Sequence, residues 1–235
     1  MGHDEPRSGA APPLRRGGDR RLTATAGLVG AALFVAVFTV EGLLRPGYDP
    51  WSSFVSELAL GPRGWIQNAN FVASGALILA LSRGLAGEFL TGKASRAGPT
   101  MIAFIGAGLL ASGPAVMDRP GTPLDQATTA GLVHSLLGAV VFTLAPTSAF
   151  VFYRRFREDP RWRALAGSTL ATAIVTTAAV VLMRVGPARP PAPPNPWNQW
   201  SGALQRAVLI PWFAWLFAVA LRLRLLAGGD AAASR

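Results

Sequence analysis

Six apolar segments, each long enough to cross a membrane, divide the sequence and restrict the chain to very few folds. A helix of about 20 residues rises about 30 Å, which matches the hydrocarbon thickness of a bilayer. An open sheet edge leaves backbone groups unsatisfied in lipid, and no segment shows the alternating polarity of a barrel strand. We therefore predict an all-α polytopic membrane protein with six transmembrane helices. The predicted spans are residues 22–44, 65–85, 99–117, 128–150, 164–183 and 202–225.

Charged residues are few and unevenly distributed. Only 14% of the residues are charged and 51% are hydrophobic, a balance that suits lipid better than water. The formal net charge is +10, but the basic residues lie in short clusters between apolar segments, so we expect no nucleic-acid partner. Of the 22 basic residues, 16 lie on the side of both termini and 6 on the other. By the positive-inside rule both termini are cytoplasmic, and the arginine-, alanine-, glycine- and proline-rich composition is typical of a bacterial inner-membrane protein.

The two ends of the chain lie outside the predicted helical domain, which covers residues 22–225. Residues 1–21 contain five arginines and three prolines without an apolar run, so we predict a disordered basic cytoplasmic tail. Residues 226–235 are predicted to form a short cytoplasmic tail. The first apolar segment is longer than the core of a signal peptide and lacks a small-residue cleavage site, so we expect it to remain in the mature protein. The sequence has no cysteine, which excludes disulfides, zinc–thiolate sites and thiol catalysis.

The first outer loop and the start of the second span, residues 47–71, mix polar and aromatic side chains. Asp49-Pro50 has the pattern of a helix start, and Gly61-Pro62 has the pattern of a helix stop. About three turns of helix fit between them, which is too short and too polar to span a bilayer. We therefore predict a short amphipathic helix that lies flat at the membrane interface.

Polar side chains gather at the outer ends of the predicted spans. Ionisable groups at that depth are costly unless they face each other, water or a cavity, so we expect them to converge on an outward-facing polar pocket. Such a pocket, apolar below and charged above, suits a lipid or another small amphiphile, and the protein would then act as a sensor or as an accessory to a membrane-protein partner. Its oligomeric state is left open. Single residues such as Glu41 and Arg184 are equally compatible with snorkelling to the interface. The predicted ligand-binding residues are Asp49, Glu57, Gln67, Asn68, Asn70, His134, Arg184 and Arg206.

His134 allows two alternative functions. A membrane-embedded hydrolase or transferase would use His134 with Asp118 and Glu57, although these residues form no close-spaced metal-ligand motif. Haem ligation by two histidines is excluded, because the only other histidine is His3 in the tail. A proton-coupled transporter would use Glu41 and His134, but no acid or histidine lies in the cytoplasmic half of a predicted span. We expect no cofactor and no metal ion.

Small residues in the third and fourth predicted spans indicate close helix packing. Glycine, alanine and serine allow two helix backbones to approach, since little side chain stands between them. The positions expected at such contacts are Gly106, Ala107, Gly108, Ala111, Ser112, Gly113, Gly131 and Gly138.

The outer-loop motif resembles a prokaryotic family of multi-span membrane proteins called domain of unknown function 998. The similarity is carried by YDPWSSFVSELALGPRGWIQNANF, which ends at Phe71, and by the later Asp118 and GLVH, which ends at His134. It covers about residues 22–225 and implies a six-span membrane fold, but it names no activity. The positions that match the family pattern are Asp49, Pro50, Ser56, Glu57, Gly61, Gly64, Gln67, Asn70, Asp118 and His134.

Overall fold

A computed structural model describes residues 16–185 and 199–233, with side chains over 19–184 and 199–229. This part of the chain is helical, with six α-helices, three short 3-10 helices and no strand. Residues 1–15 of the predicted tail lie outside the described residues. The α-helices are α1 (Arg16–Leu44), α2 (Gly64–Glu88), α3 (Ala97–Ser112), α4 (Thr129–Phe156), α5 (Ala166–Val185) and α6 (Ser201–Ala233). The 3-10 helices are Val55–Ala59, Leu124–Gln126 and Arg163–Leu165.

Five of the α-helices are long and apolar enough to cross a membrane, which confirms the predicted all-α fold and its membrane character. The exception is α3, which is apolar but has only 16 residues. Its predicted span continued to residue 117, whereas the helix ends at Ser112. Pro114 has no N–H to donate to the Leu110 carbonyl, and the Gly113 N–H donates to that oxygen instead, so the helix stops there.

The six helices form a closed ring in chain order. Each helix packs against its neighbours along the chain, and α6 packs against α1 to close the ring. Successive helices run in opposite directions, so the ring has two distinct ends. We call the end at which α1 begins and α6 ends the termini end. The opposite end, where the connections 45–63 and 113–128 lie, is the loop end.

Aromatic side chains fill the centre of the ring. Phe34 of α1 stacks on Phe213 of α6 with ring centroids 4.5 Å apart. Trp212 of α6 is buried and donates a hydrogen bond to the Ser148 hydroxyl of α4 (3.2 Å). Because a buried indole N–H needs an acceptor, this bond fixes α6 against α4 across the ring. The middle of the bundle is therefore packed around the aromatic side chains of α6.

Helices α2 and α3 approach each other closely. A Cβ atom added to Gly75 would lie 2.4 Å from the Leu110 backbone nitrogen and 2.6 Å from the Gly106 carbonyl oxygen. A Cβ on Gly106 would in turn lie 3.0 Å from the Gly75 carbonyl oxygen. The two helix backbones therefore touch at Gly75 and Gly106. The small-residue pattern of the third span predicted such a close contact for Gly106.

The first loop differs from the predicted three turns of α-helix. It contains a five-residue 3-10 helix, Val55–Ala59, preceded by a turn at residues 50–53. The Asp49 carboxylate accepts hydrogen bonds from the Trp51 N–H (3.1 Å) and the Ser52 hydroxyl (2.6 Å), which closes the chain into a turn. Leu58 in the 3-10 helix is fully buried, so this segment packs into the loop end of the ring.

Candidate ligand cavity at the loop end

Arg206 of α6 holds the first half of the loop. Its Nη1 donates hydrogen bonds to the backbone oxygens of Pro50 (2.7 Å), Ser53 (3.0 Å) and Gly202 (3.1 Å). Its Nη2 donates to the Tyr48 hydroxyl oxygen (2.5 Å), and that hydroxyl donates to the Ser53 carbonyl (3.2 Å). The planar fork of a guanidinium suits several acceptors at once. Arg206, predicted as a ligand residue, therefore binds the protein's own backbone in this structure.

Two further arginines hold the second half of the loop. Arg45 at the end of α1 donates to the Leu58 oxygen (2.8 Å) and the Leu60 oxygen (2.6 Å). Arg63, at the start of α2, forms two parallel bonds to the Glu41 carboxylate, Nε to Oε1 (2.8 Å) and Nη2 to Oε2 (2.6 Å). The Glu41 side chain is only 4% exposed, so this bidentate pair neutralises a charge inside the bundle.

The 3-10 helix covers the loop end of the ring. The Val55 N–H donates to the Gln205 side-chain oxygen (2.5 Å), and this bond is buried. The Ala203 N–H donates to the Trp51 oxygen (2.9 Å). A Cβ on Gly202 would lie 2.3 Å from the Ser53 oxygen, so α6 and the loop are in close contact. The loop thus lies over the bundle, and it partly fills the mouth that the sequence pattern predicted to be a pocket.

A narrow cavity remains beneath the loop. Its volume is about 30 Å³, and it is open on one side. This is enough for water but far below the roughly 300 Å³ of a formed small-molecule site, so a larger ligand requires the cavity to widen. Gly138 lies in the wall, and a Cβ there would meet no atom within 4 Å. The lining residues are Phe34, Val55, Ser56, Phe71, Leu109, Ser112, His134, Gly138, Val141, Phe142, Gln205 and Leu209.

His134 is the one ionisable residue among those that line this cavity. Its Nδ1 lies 2.8 Å from the Ala115 carbonyl oxygen. Because a carbonyl oxygen only accepts, Nδ1 carries the proton in this contact. The ring also meets Phe71 edge-on, with centroids 5.9 Å apart. His134 is therefore oriented by the connection after α3 and by α2, in a cavity that is otherwise mostly apolar.

Of the predicted amide residues of α2, Asn70 contacts α1. The Asn70 side-chain amide donates to the Phe34 carbonyl oxygen (3.2 Å) and to Gln67 Oε1 (3.3 Å), and its own oxygen accepts from the Ser74 hydroxyl (3.2 Å). Gln67 Nε2 and Asn68 Oδ1 are buried without a hydrogen-bond partner in the described part of the chain. A buried amide group normally has a partner, so these two atoms mark places where water or a ligand would be stabilised.

The remaining predicted site residues are spread over the loop end. Asp49 is exposed in its turn, where the Ser52 hydroxyl lowers the pKa of its carboxyl. Glu57 is half-buried and accepts from the Phe54 N–H (2.7 Å), and burial raises the pKa of its carboxyl. Arg184 is exposed near the end of α5.

Asp118 supports the start of α4 and does not join His134. Its carboxylate accepts from the Thr128 N–H (3.0 Å) and hydroxyl (2.8 Å), and Thr128 Oγ1 caps α4 by accepting from the Gly131 N–H (3.0 Å). Across the side chains that the structure describes, no group of three His, Cys, Asp or Glu could hold a metal ion. Among the described residues Asp118 bonds Thr128, Glu57 bonds the Phe54 N–H and His134 contacts Ala115, and the hydrolase or transferase alternative stays a prediction.

Glu88, at the termini end, was missed by the sequence analysis. It lies beyond the predicted end of the second span at residue 85, but α2 continues to Glu88 and its side chain is 1% exposed. Its carboxylate pairs with Arg20 (2.6 Å) and Arg161 (2.8 Å). Helix α2 thus carries a buried acid at the termini end, just beyond the predicted span. Hydropathy could not find Glu88, because its partners come from α1 and from the connection after α4.

Comparison with known proteins places the chain in one family. No curated protein and no solved structure matches the chain. A family model described as "Protein of unknown function (DUF998)" matches residues 28–222, which is most of the chain. The resemblance inferred from the outer-loop motif is confirmed, and the chain belongs to the DUF998 family.

Proposed function

We propose that this chain is a six-span inner-membrane protein that binds one lipid or single-chain amphiphile in the cavity beneath the first loop. The loop end faces outward in this proposal and both termini are cytoplasmic. The chain acts as a sensor or an accessory to another membrane protein rather than as an enzyme. The observation that carries the proposal is the cavity itself, which lies beneath the loop and is lined mostly by apolar side chains.

The chemistry of the wall agrees with an amphiphile. Phe34, Phe71 and Leu209 supply apolar surface, and burial of such surface stabilises a bound hydrocarbon chain at about 25 cal/mol per Å². Polar side chains are few: Ser56, Ser112, His134 and Gln205. The polar groups would orient the head or a double bond near the loop.

Gly138 gives a direct test of this proposal. In Gly138→Phe the new ring enters the open space of the cavity, so we expect the lipid retained after purification in mild detergent to fall at least tenfold. Native mass spectrometry of the whole chain measures that occupancy. A photoreactive fatty acid should label cavity-lining peptides of the unmodified protein, and this labelling should be lost in the variant.

Gly167→Phe is the matched control, because a Cβ at Gly167 also meets no atom within 4 Å but Gly167 does not line the cavity. Both variants should elute as the same species and melt at similar temperatures, since neither glycine is in close contact. Equal lipid retention in the two variants, or labelling of an unrelated helix face, would overturn the proposal.

A further inference from the structure

A second concave site lies at the termini end, on the connection between α2 and α3. It is a hollow of about 320 Å³ lined by Lys93, Ala94, Ala97, Val151 and Arg154. We call it the basic hollow. Two of its five lining residues are cationic, and the other three are apolar. It shares no lining residue with the loop-end cavity.

The two cations of the basic hollow are accessible. Arg154 is exposed near the end of α4, and no hydrogen bond or ion pair joins its side chain to the residues that the structure describes. Lys93 is 62% exposed and pairs with Glu158 (2.6 Å), which is itself 44% exposed. An ion pair this exposed contributes little to stability, so Lys93 can exchange Glu158 for another anion.

The wall of the hollow is held in place by neighbouring contacts. Arg155 Nη1 donates to the Thr91 carbonyl oxygen (2.9 Å), and its guanidinium lies 5.2 Å from the Phe89 ring centroid. Ala97, the first residue of α3, lines the hollow, so the positive end of that helix dipole lies beside it. The connection is thus fixed against α4, and Lys93 and Arg154 are brought to one hollow before any ligand arrives.

We propose that the basic hollow binds the phosphate of an anionic phospholipid headgroup. A phosphate carries several acceptor oxygens, and a guanidinium with an ammonium is a suitable pair of donors for it. The apolar residues suit the glycerol and the first methylenes, since Ala97 and Val151 belong to apolar helices of the bundle. Juxtamembrane lysines and arginines are the residues that attract anionic lipids at a membrane surface.

The test compares Arg154→Gln with Arg157→Gln. Arg157 is exposed directly after the end of α4, and its guanidinium carbon lies 5.9 Å from the Tyr153 ring centroid, but it does not line the hollow. Native mass spectrometry of the full chain in mild detergent is titrated with phosphatidylglycerol or phosphatidylcholine. We expect phosphatidylglycerol to bind more tightly, Arg154→Gln to weaken it at least tenfold, and Arg157→Gln to change it less than twofold. Lys93→Gln, combined with Arg154→Gln, should weaken phosphatidylglycerol binding further.

Three outcomes would overturn the proposal. Equal weakening by the Arg154 and Arg157 variants would mean that only total surface charge matters. Equal affinity of the unmodified chain for the two lipids would mean that no anion is selected. Displacement of phosphatidylglycerol by millimolar inorganic phosphate would assign the hollow to a free anion instead of a lipid. The same titration is repeated in Gly138→Phe, which alters only the loop-end cavity. Phosphatidylglycerol binding that is unchanged in this variant belongs to the basic hollow, so the two proposals are tested separately.

Discussion

Replacing Arg206 with leucine is expected to detach the first loop from α6 and to lower the thermal stability of the protein markedly. The change removes the donor for the Pro50 and Ser53 carbonyl oxygens and for the Tyr48 hydroxyl. Each buried polar group left without a partner costs about 1–3 kcal/mol, so a loss of about 2–4 kcal/mol is expected for this partly buried cluster. The measurements are the melting temperature in detergent at one scan rate and the rate of proteolysis within residues 48–60.

Two variants make the Arg206 experiment specific. Arg119→Leu changes an exposed arginine in another loop-end connection, whose side chain has no hydrogen bond or ion pair in the described residues. It should melt like the unmodified protein. Arg206→Lys should have an intermediate melting temperature. An ammonium keeps the charge but lacks the planar fork that reaches all three acceptors in the loop. If Arg206→Leu kept both its melting temperature and its protease resistance, the loop would have to be held mainly by Arg45 and the Arg63–Glu41 pair.

The membrane architecture was largely predictable because it follows from the length and polarity of apolar runs. Each of the six predicted spans overlaps a helix, and the family resemblance was carried by one loop motif. The positions at which the helices end were less predictable. Hydropathy ended the second span at residue 85, whereas the packed helix continues to Glu88 because Arg20 and Arg161 neutralise its carboxylate. Such partners are remote in sequence, so a window of apolar residues cannot detect them.

The polar residues at the loop end show a second limit of sequence reasoning. Their depth could be predicted from their distance to the end of a span, but not the direction in which each side chain points. Gln205 and Arg206, adjacent on α6, both bind the first loop. A polar side chain at a helix end is equally compatible with a ligand and with the protein's own backbone. Only the fold shows that several of these polar side chains bond the loop that covers the cavity.

Glycines show the same limit in the packing of the helices. Gly106 and Gly138 both belong to small-residue patterns that predicted close contact between helices. Gly106 is in backbone contact with Gly75, whereas Gly138 has open space around it and lines the cavity. The sequence pattern does not distinguish a glycine that permits contact from one that leaves a void. The two kinds therefore respond differently to substitution, and a glycine in backbone contact, such as Gly75 or Gly106, is expected to tolerate a side chain far less well than Gly138.

Gly75→Leu is expected to separate α2 from α3 and to prevent the ring from closing properly. The first side-chain carbon alone would lie 2.4 Å from the Leu110 nitrogen and 2.6 Å from the Gly106 oxygen, and both are backbone atoms that no rotamer change can move. Overpacking a core typically costs about 1–3 kcal/mol, and more where the backbone itself must shift. We expect a large loss of folded protein in membranes, measured as the monodisperse fraction after detergent extraction.

Gly87→Leu is the control for this change, since Gly87 lies on the same helix and a Cβ there meets no atom within 4 Å. It adds the same apolar side chain to α2 and has the same effect on helix propensity, so it should express and melt like the unmodified protein. Gly75→Ala should fall between the two, because it adds only the colliding carbon. Equal yields for Gly75→Leu and Gly87→Leu would show that α2 and α3 do not meet at this glycine pair, and the ring would then need a different helix order.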